Sequence, residues 1–128
     1  MLKQIEGLPR CVFGFEARGR MTRDELDEMM GAFDATIADG YDVALLIEYH
    51  VGMVEDPRVD ETRFYHHLSA RGRTQRFAFV GDHKWQAAFD DFVEFVGCDA
   101  RMFAPGQRDT ALTWLLEAPF LKVQNDAG

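Results

Sequence analysis

Two groups of polar and aromatic side chains directly follow the two most apolar segments of this sequence. The candidate site residues are Glu48, Tyr49, His50, Asp82, His83, Lys84 and Trp85. A glutamate beside a histidine at the end of a strand could transfer protons to and from a substrate. A histidine and a lysine at the start of a helix, close to backbone amides that are biased positive, could hold an anion. The pattern therefore indicates a ligand- or partner-binding site, whereas the simpler alternative is that Asp82 caps a helix and the other side chains face water.

Sequence signatures of catalysis and metal binding are missing. The one serine, Ser69, has no nucleophile-elbow glycines around it, and there is neither a Walker-type phosphate loop nor a G-x-G-x-x-G motif. The four histidines lack metal-ligand spacing, and Cys11 and Cys98 are far apart and in no redox or metal motif. We therefore predict no catalytic residue, no metal and no cofactor, and we favour a non-catalytic protein over an enzyme.

Hydrophobic periodicity predicts the elements that carry these groups. Strands are expected over residues 3–6, 11–20, 42–50, 76–82 and 98–104, and helices over 22–40, 60–70, 82–97 and 111–116. Thr22 and Glu25 have the spacing of a capping box at the start of the first helix. The runs 43–47 and 77–80 are continuously apolar, which is typical of strands buried on both faces.

The resulting order, β-β-α-β-α-β-α-β-α, predicts an α/β fold. We expect a single-layer mixed, mostly parallel five-stranded sheet with four helices, and the first strand antiparallel at one edge. The 128 residues suit one domain, with 124–128 as a frayed tail. Ligands on such sheets bind beyond the carboxyl ends of the strands, which places residues 49–56 and 81–85 on one rim.

Four segments carry a family pattern: I-E-G-L-P at 5–9, F-G-F-E-A-R-G at 13–19, V-G-D-x-K-W at 80–85 and A-L-T-W-L at 111–115. Together they resemble the SpoIIAA-like family of small bacterial proteins, over nearly the whole chain. The resemblance implies the fold of anti-sigma-factor antagonists and STAS domains, which is related in shape to lipid-carrying CRAL-TRIO domains. It implies no activity.

The better-understood relatives are switched by phosphorylation of a serine in a D-S-[ST]-G-like turn after the central strand. Here the corresponding residues, 51–62, read VGMVEDPRVDET and contain no serine. Thr62 is the one hydroxyl there, and it follows two acidic residues that would repel an added phosphate. The phosphorylation switch is therefore not transferred to this chain, and only phosphate found on Thr62 or Ser69 would restore it.

The net charge of −8 argues against nucleic-acid binding and disfavours docking onto anionic membranes, and the sequence has no dense run of lysines and arginines that would form a local basic patch. The longest apolar run, 43–47, is too short to span a bilayer, and no signal-peptide core follows the start of the sequence. We therefore expect a cytoplasmic protein without integral membrane association.

Eleven phenylalanines exceed what a small core needs for volume alone. Core packing explains most of them, but a homodimer interface or an apolar pocket for a lipid-like ligand stays open. The sequence thus predicts a non-catalytic regulatory module that binds a protein partner or a small ligand. The alternatives are a carrier of a small apolar ligand and a small enzyme that uses the rim around Glu48, His50, Asp82 and His83.

Overall fold

A computed structural model describes residues 1–9, 11–18, 22–38, 43–50, 67, 74–96 and 99–117. Five strands form one sheet in the order β1 to β5: Leu2–Gln4, Val12–Ala17, Val43–Tyr49, Thr74–Val80 and Asp99–Phe103. The β1 strand is antiparallel to β2, and all other neighbours are parallel. The predicted mixed, mostly parallel sheet with an antiparallel edge strand is confirmed.

The helices within the described residues are α1 (Arg23–Ile37), α2 (Gln86–Val96), which follows a 3₁₀ turn (His83–Trp85), and α3 (Arg108–Leu116). The predicted count of four helices is therefore not confirmed. The helix predicted over residues 60–70 falls, apart from His67, outside the described part of the chain. Among the helices that the structure describes, none combines the length and the apolar character needed to cross a membrane.

Local chemistry explains where α1 and α2 begin. The capping box predicted for α1 is present, because the Thr22 hydroxyl accepts from the Glu25 amide and the Glu25 carboxylate accepts from the Thr22 amide. The Glu25 carboxylate also accepts from the Leu2 amide, which ties β1 to α1. Asp82 does act as a cap, but it caps the 3₁₀ turn before α2 by accepting from the Lys84 amide.

The sheet has a different core on each face. On one face, α1 and α2 cover an aromatic layer in which Phe33 meets Phe13 edge-on and Phe89 stacks on Phe77. At least seven of the eleven phenylalanines are buried: Phe13, Phe15, Phe33, Phe77, Phe79, Phe89 and Phe103. Core packing therefore accounts for most of the phenylalanine content.

The other face of the sheet is lined by smaller side chains and carries α3. Ala44 and Ala78 on the central strands are fully buried against Ala111 and Leu115 of α3. Gly14 on β2 leaves room for Leu8, since a Cβ atom there would lie 2.5 Å from the Leu8 Cδ1 atom. This close packing sets α3 against the sheet and directs its first residue toward the carboxyl ends of β2 and β3.

Candidate functional site

Strand register places two glutamates side by side at the carboxyl edge of the sheet. Glu16 on β2 and Glu48 on β3 are direct partners in the parallel ladder. Their side chains alternate in phase with Val12 and Leu46, so they lie on the α3 face. The side chains are only 16% and 12% exposed, and the mutual repulsion of two carboxylates that are poorly solvated must be offset by nearby cations.

His50 is the first of the groups that offset this repulsion. It lies just beyond β3, where its backbone amide donates to the Ala17 carbonyl oxygen and continues the β2–β3 ladder. Its Nε2 atom is 2.8 Å from Glu16 Oε2 and 3.3 Å from Glu48 Oε1. His50 therefore contacts both carboxylates from a position that the sheet holds in place.

Arg108 is the second group, and it comes from the start of α3. A turn at Pro105 and Gly106, with Gly106 at φ 85°, leads from β5 into this helix, and such a φ suits glycine. The Nε atom of Arg108 donates to Glu48 Oε2 at 2.6 Å, and its Nη2 atom lies 3.5 Å from Glu16 Oε2. We refer to Glu16, Glu48, His50 and Arg108 as the carboxyl-edge cluster.

The charges of the cluster stabilise one another. Burial alone would raise the pKa of Glu16, but its hydrogen bond to His50 and the charges of His50, Arg18 and Arg108 outweigh burial and lower that pKa. The hydrogen bond to Glu48 is the main reason that the pKa of Arg108 is raised. Glu16 is thus a carboxylate at neutral pH, and a lowered pKa makes it a weak general base.

The same residues include a set of metal-ligand types. Glu16, Glu48 and His50 each offer one ligand atom, and these atoms all lie within 4.8 Å of one another. Carboxylate oxygen and imidazole nitrogen together suit first-row transition ions. The cluster can therefore present fixed charge, hold a cation or exchange a proton between Glu48 and His50.

The second predicted group lies at the ends of β4 and β5. Asp82, His83 and Gln86 line an open cleft of about 250 Å³, together with residues 102–105. His83 is almost fully exposed, and the Asp82 carboxylate lies 3.3 Å from its Nδ1 atom. Because Asp82 also accepts from the Lys84 amide, this helix start already has a carboxylate cap.

The structure brings together only some of the predicted site residues. Glu48 and His50 meet in the cluster, whereas the contacts of Asp82 run to His83 and Lys84. Tyr49 is buried on the opposite face, with its ring centroid 4.9 Å from that of Phe79. Trp85 is the last residue of the 3₁₀ turn, and residues 51–56 of the predicted rim fall outside the described part of the chain.

Two residues of the cluster, Glu16 and Arg108, were not predicted from the sequence. A signal for Glu16 is its position in V-F-G-F-E-A, where a charged residue interrupts an otherwise apolar strand. A signal for Arg108 is its place directly after the Pro105–Gly106 turn, at the start of a helix. Neither signal identifies the partner, because the ion pairs join residues 60 and 92 positions apart.

Comparison with known proteins gives a family assignment. No curated protein matches the chain. An uncharacterised protein of the DUF3478 family from Shewanella loihica PV-4, whose crystal structure has a SpoIIAA-like fold, is similar in structure with a TM-score of 0.66. The similarity covers 90% of this chain and 95% of that one at 18% sequence identity, so it concerns the fold alone. The sequence matches the SpoIIAA-like family over residues 12–116, and the chain therefore belongs to that family.

Proposed function

We propose that this protein is a non-catalytic binding module that presents the carboxyl edge of its sheet to a protein partner. The observation that carries the proposal is the mutual pairing of Glu16, Glu48, His50 and Arg108. These side chains form a preorganised charged surface on two adjacent strand ends and one helix start. Preorganised charges favour recognition, because little side-chain freedom is lost on binding.

The contacts argue against acid–base catalysis by this edge. The Oε2 atom of Glu48 accepts a short hydrogen bond from Arg108, and its Oε1 atom faces His50. A glutamate held in this way has little freedom to accept a proton from a substrate. The cleft near Asp82 is lined by residues that follow β4, by the start of α2 and by the end of β5, so a molecule bound there would meet a different set of side chains.

The exposure of the charged groups indicates the chemistry of the partner. The carboxylates of the cluster lie beneath its cations: Arg108 is 39% exposed and the adjoining Arg18 is 55% exposed, against 12–16% for the glutamates. A chain with a net charge of −8 thus has two arginines at the accessible surface of this edge. Electrostatic complementarity favours a partner that brings an acidic segment to Arg18 and Arg108.

The experiment is quantitative affinity capture from lysate of the source organism, followed by binding measurements with the purified partner. Arg18→Glu reverses an exposed charge at the carboxyl edge, and Arg101→Glu on the distant edge strand β5 is the matched control. We expect Arg18→Glu to weaken partner binding at least tenfold while Arg101→Glu leaves it within twofold. Thermal denaturation of both variants verifies that they are folded.

Two results would contradict this proposal. Equal loss of the partner in both variants would place the binding surface elsewhere. A chain that enriches no protein in capture and remains monomeric and unmodified in native mass spectrometry would not be a binding module. A non-covalent apolar adduct in the same spectra would instead support the carrier hypothesis, and a doubled mass would support the homodimer.

The contact between Glu48 and His50 keeps a small enzyme as the second candidate. Their 3.3 Å separation is the one observation that favours it, since a paired carboxylate and imidazole can exchange a proton. If substrate screening finds an activity, Glu48→Gln and His50→Gln should each abolish it, with the exposed His83→Ala as control. Turnover that survives both cluster variants would exclude this site.

A further inference from the structure

The arrangement of Glu16, Glu48 and His50 has the chemistry of a metal site. The three residues come from the ends of two adjacent strands, and the amide of His50 is held by the Ala17 carbonyl oxygen at 3.1 Å. The exposed fraction of the side chain is 23% for His50, 16% for Glu16 and 12% for Glu48, so all three are largely buried. Rigid backbone positions of this kind are what a preformed coordination site requires.

The distances within the triad are close to those within a coordination sphere. Ligand atoms at about 2.1 Å from an ion lie roughly 3.0 Å apart at octahedral angles and roughly 3.4 Å apart at tetrahedral angles. Here His50 Nε2 is 2.8 Å from Glu16 Oε2 and 3.3 Å from Glu48 Oε1. All three ligand atoms lie within 4.8 Å of one another, so the side chains would close on a bound ion.

Arg108 is compatible with an ion at this position. It binds the Oε2 atom of Glu48 and leaves the Oε1 atom directed at His50. A cation that holds the outer oxygen of a ligating carboxylate fixes the orientation of that ligand, as outer partners do in metal sites. Arg108 and Arg18 together balance the charge of the two carboxylates, so binding of an ion here depends on direct coordination by the three ligand atoms and not on net charge.

We propose that Glu16, Glu48 and His50 form a binding site for a divalent first-row metal ion such as Zn²⁺ or Mn²⁺. Arg108 positions Glu48 in this site. The mixed oxygen and nitrogen set selects these ions over Mg²⁺ and Ca²⁺, which take oxygen ligands. Three protein ligands leave positions open on the ion. The inference goes beyond the proposed function, because ion binding requires no protein partner.

The test is calorimetric titration of chelator-treated protein with Zn²⁺, Mn²⁺ and Mg²⁺ separately. We expect one saturable Zn²⁺ site per chain and a Mg²⁺ affinity at least a hundredfold lower. His50→Gln and Glu48→Gln should each weaken Zn²⁺ binding at least tenfold. The matched control is His67→Gln, since the Nε2 atom of His67 also lies 2.8 Å from a carboxylate, that of Asp34, but forms no such triad with the residues that the structure describes.

A measurement on the unaltered protein covers the case in which a variant fails to fold. Mn²⁺ is paramagnetic, so it should broaden the backbone amide signals of Ala17 and His50 before those at the opposite end of the sheet. Absence of a saturable site, equal binding of Mg²⁺, equal loss in His67→Gln, or broadening centred elsewhere would each overturn the inference. If the ion does not bind but Arg18→Glu still loses the partner, the proposed function stands alone.

Discussion

Replacing Arg108 tests whether the carboxyl-edge cluster is the paired unit that its distances indicate. Arg108→Gln keeps a polar side chain but removes the charge that contacts both Glu48 and Glu16. The two carboxylates then face each other across adjacent strands, and His50 is the one cation-forming group of the cluster left between them. The variant should therefore be destabilised.

The loss of stability expected for Arg108→Gln lies between the values for exposed and buried ion pairs. Exposed pairs contribute about 0–1 kcal/mol, and removing one partner of a buried pair costs about 3–5 kcal/mol. The glutamates are almost buried, but Arg108 is 39% exposed, so solvent screening reduces the effect. We expect Arg108→Gln to lower the free energy of unfolding by about 2 kcal/mol. That loss corresponds to a fall in Tm of roughly 6–10 °C for a chain of this size.

The pH dependence of this loss distinguishes a charge effect from a packing effect. Glu16 has a lowered pKa in the folded protein, so its contribution to stability is present above its unfolded pKa and is lost as the pH falls through the folded pKa. Urea denaturation should therefore show the largest difference between wild type and Arg108→Gln near pH 7. The difference should shrink as the pH falls through the lowered folded pKa of Glu16.

Two comparisons control this prediction. Arg18→Gln removes a more exposed arginine 3.8 Å from Glu16 and should cost less than about 0.5 kcal/mol. The double variant Glu48→Gln with Arg108→Gln should be more stable than Arg108→Gln alone, because one unpaired carboxylate is gone. A loss in Arg108→Gln that stays constant as the pH falls through the acid titration of Glu16, or a double variant with simply additive losses, would refute the reasoning.

Three further predictions concern the rest of the fold. Burial alone would raise the pKa of Glu25, but hydrogen bonds from the amides of Leu2 and Thr22 lower it. Glu25→Gln should therefore cost about 1–2 kcal/mol at pH 7 in urea titrations, and the cost should fall as the pH drops through the lowered folded pKa of Glu25. A cost that does not change with pH would contradict this. Gly14→Ala should cost about 1 kcal/mol by calorimetry because the new methyl group meets the terminal Cδ1 atom of Leu8, and the cost should be smaller in a Leu8→Ala background. A cost that is the same in both backgrounds would show that Leu8 is not the cause. Burial raises the pKa of the Cys11 thiol and so lowers its reactivity. In a Cys98→Ser background, a disulfide reagent should modify Cys11 at least about a hundredfold more slowly in the native protein than in urea. Similar rates would mean that Cys11 is accessible.

The fold was predictable where it depends on local patterns. The capping box of Thr22 and Glu25 needs only residues three positions apart, and the apolar runs of β3 and β4 identify central strands directly. Alternating strands and helices then restrict the sheet to mostly parallel pairing. The boundaries were less accurate, as for β4, which begins at Thr74 and ends at Val80 instead of covering 76–82.

The candidate site was only partly predictable, because it depends on pairing between distant segments. Glu16 and Glu48 meet through the β2–β3 register, and the position of Arg108 depends on how α3 packs against Ala44 and Ala78. Periodicity within each segment does not contain this information. The prediction that Tyr49 belongs to the same site as Glu48 could have been avoided from the sequence. Adjacent residues of a strand point to opposite faces, so Tyr49 cannot share a face with Glu48.

Binding of a captured and purified partner to wild type, Arg18→Glu and Arg101→Glu under identical salt conditions tests the central claim most directly. If the carboxyl edge is the binding surface, the Kd rises at least tenfold for Arg18→Glu, and added salt weakens wild-type binding. The Arg101→Glu protein should bind as wild type does. Equal Kd values for all three proteins would contradict the assignment of partner binding to this edge.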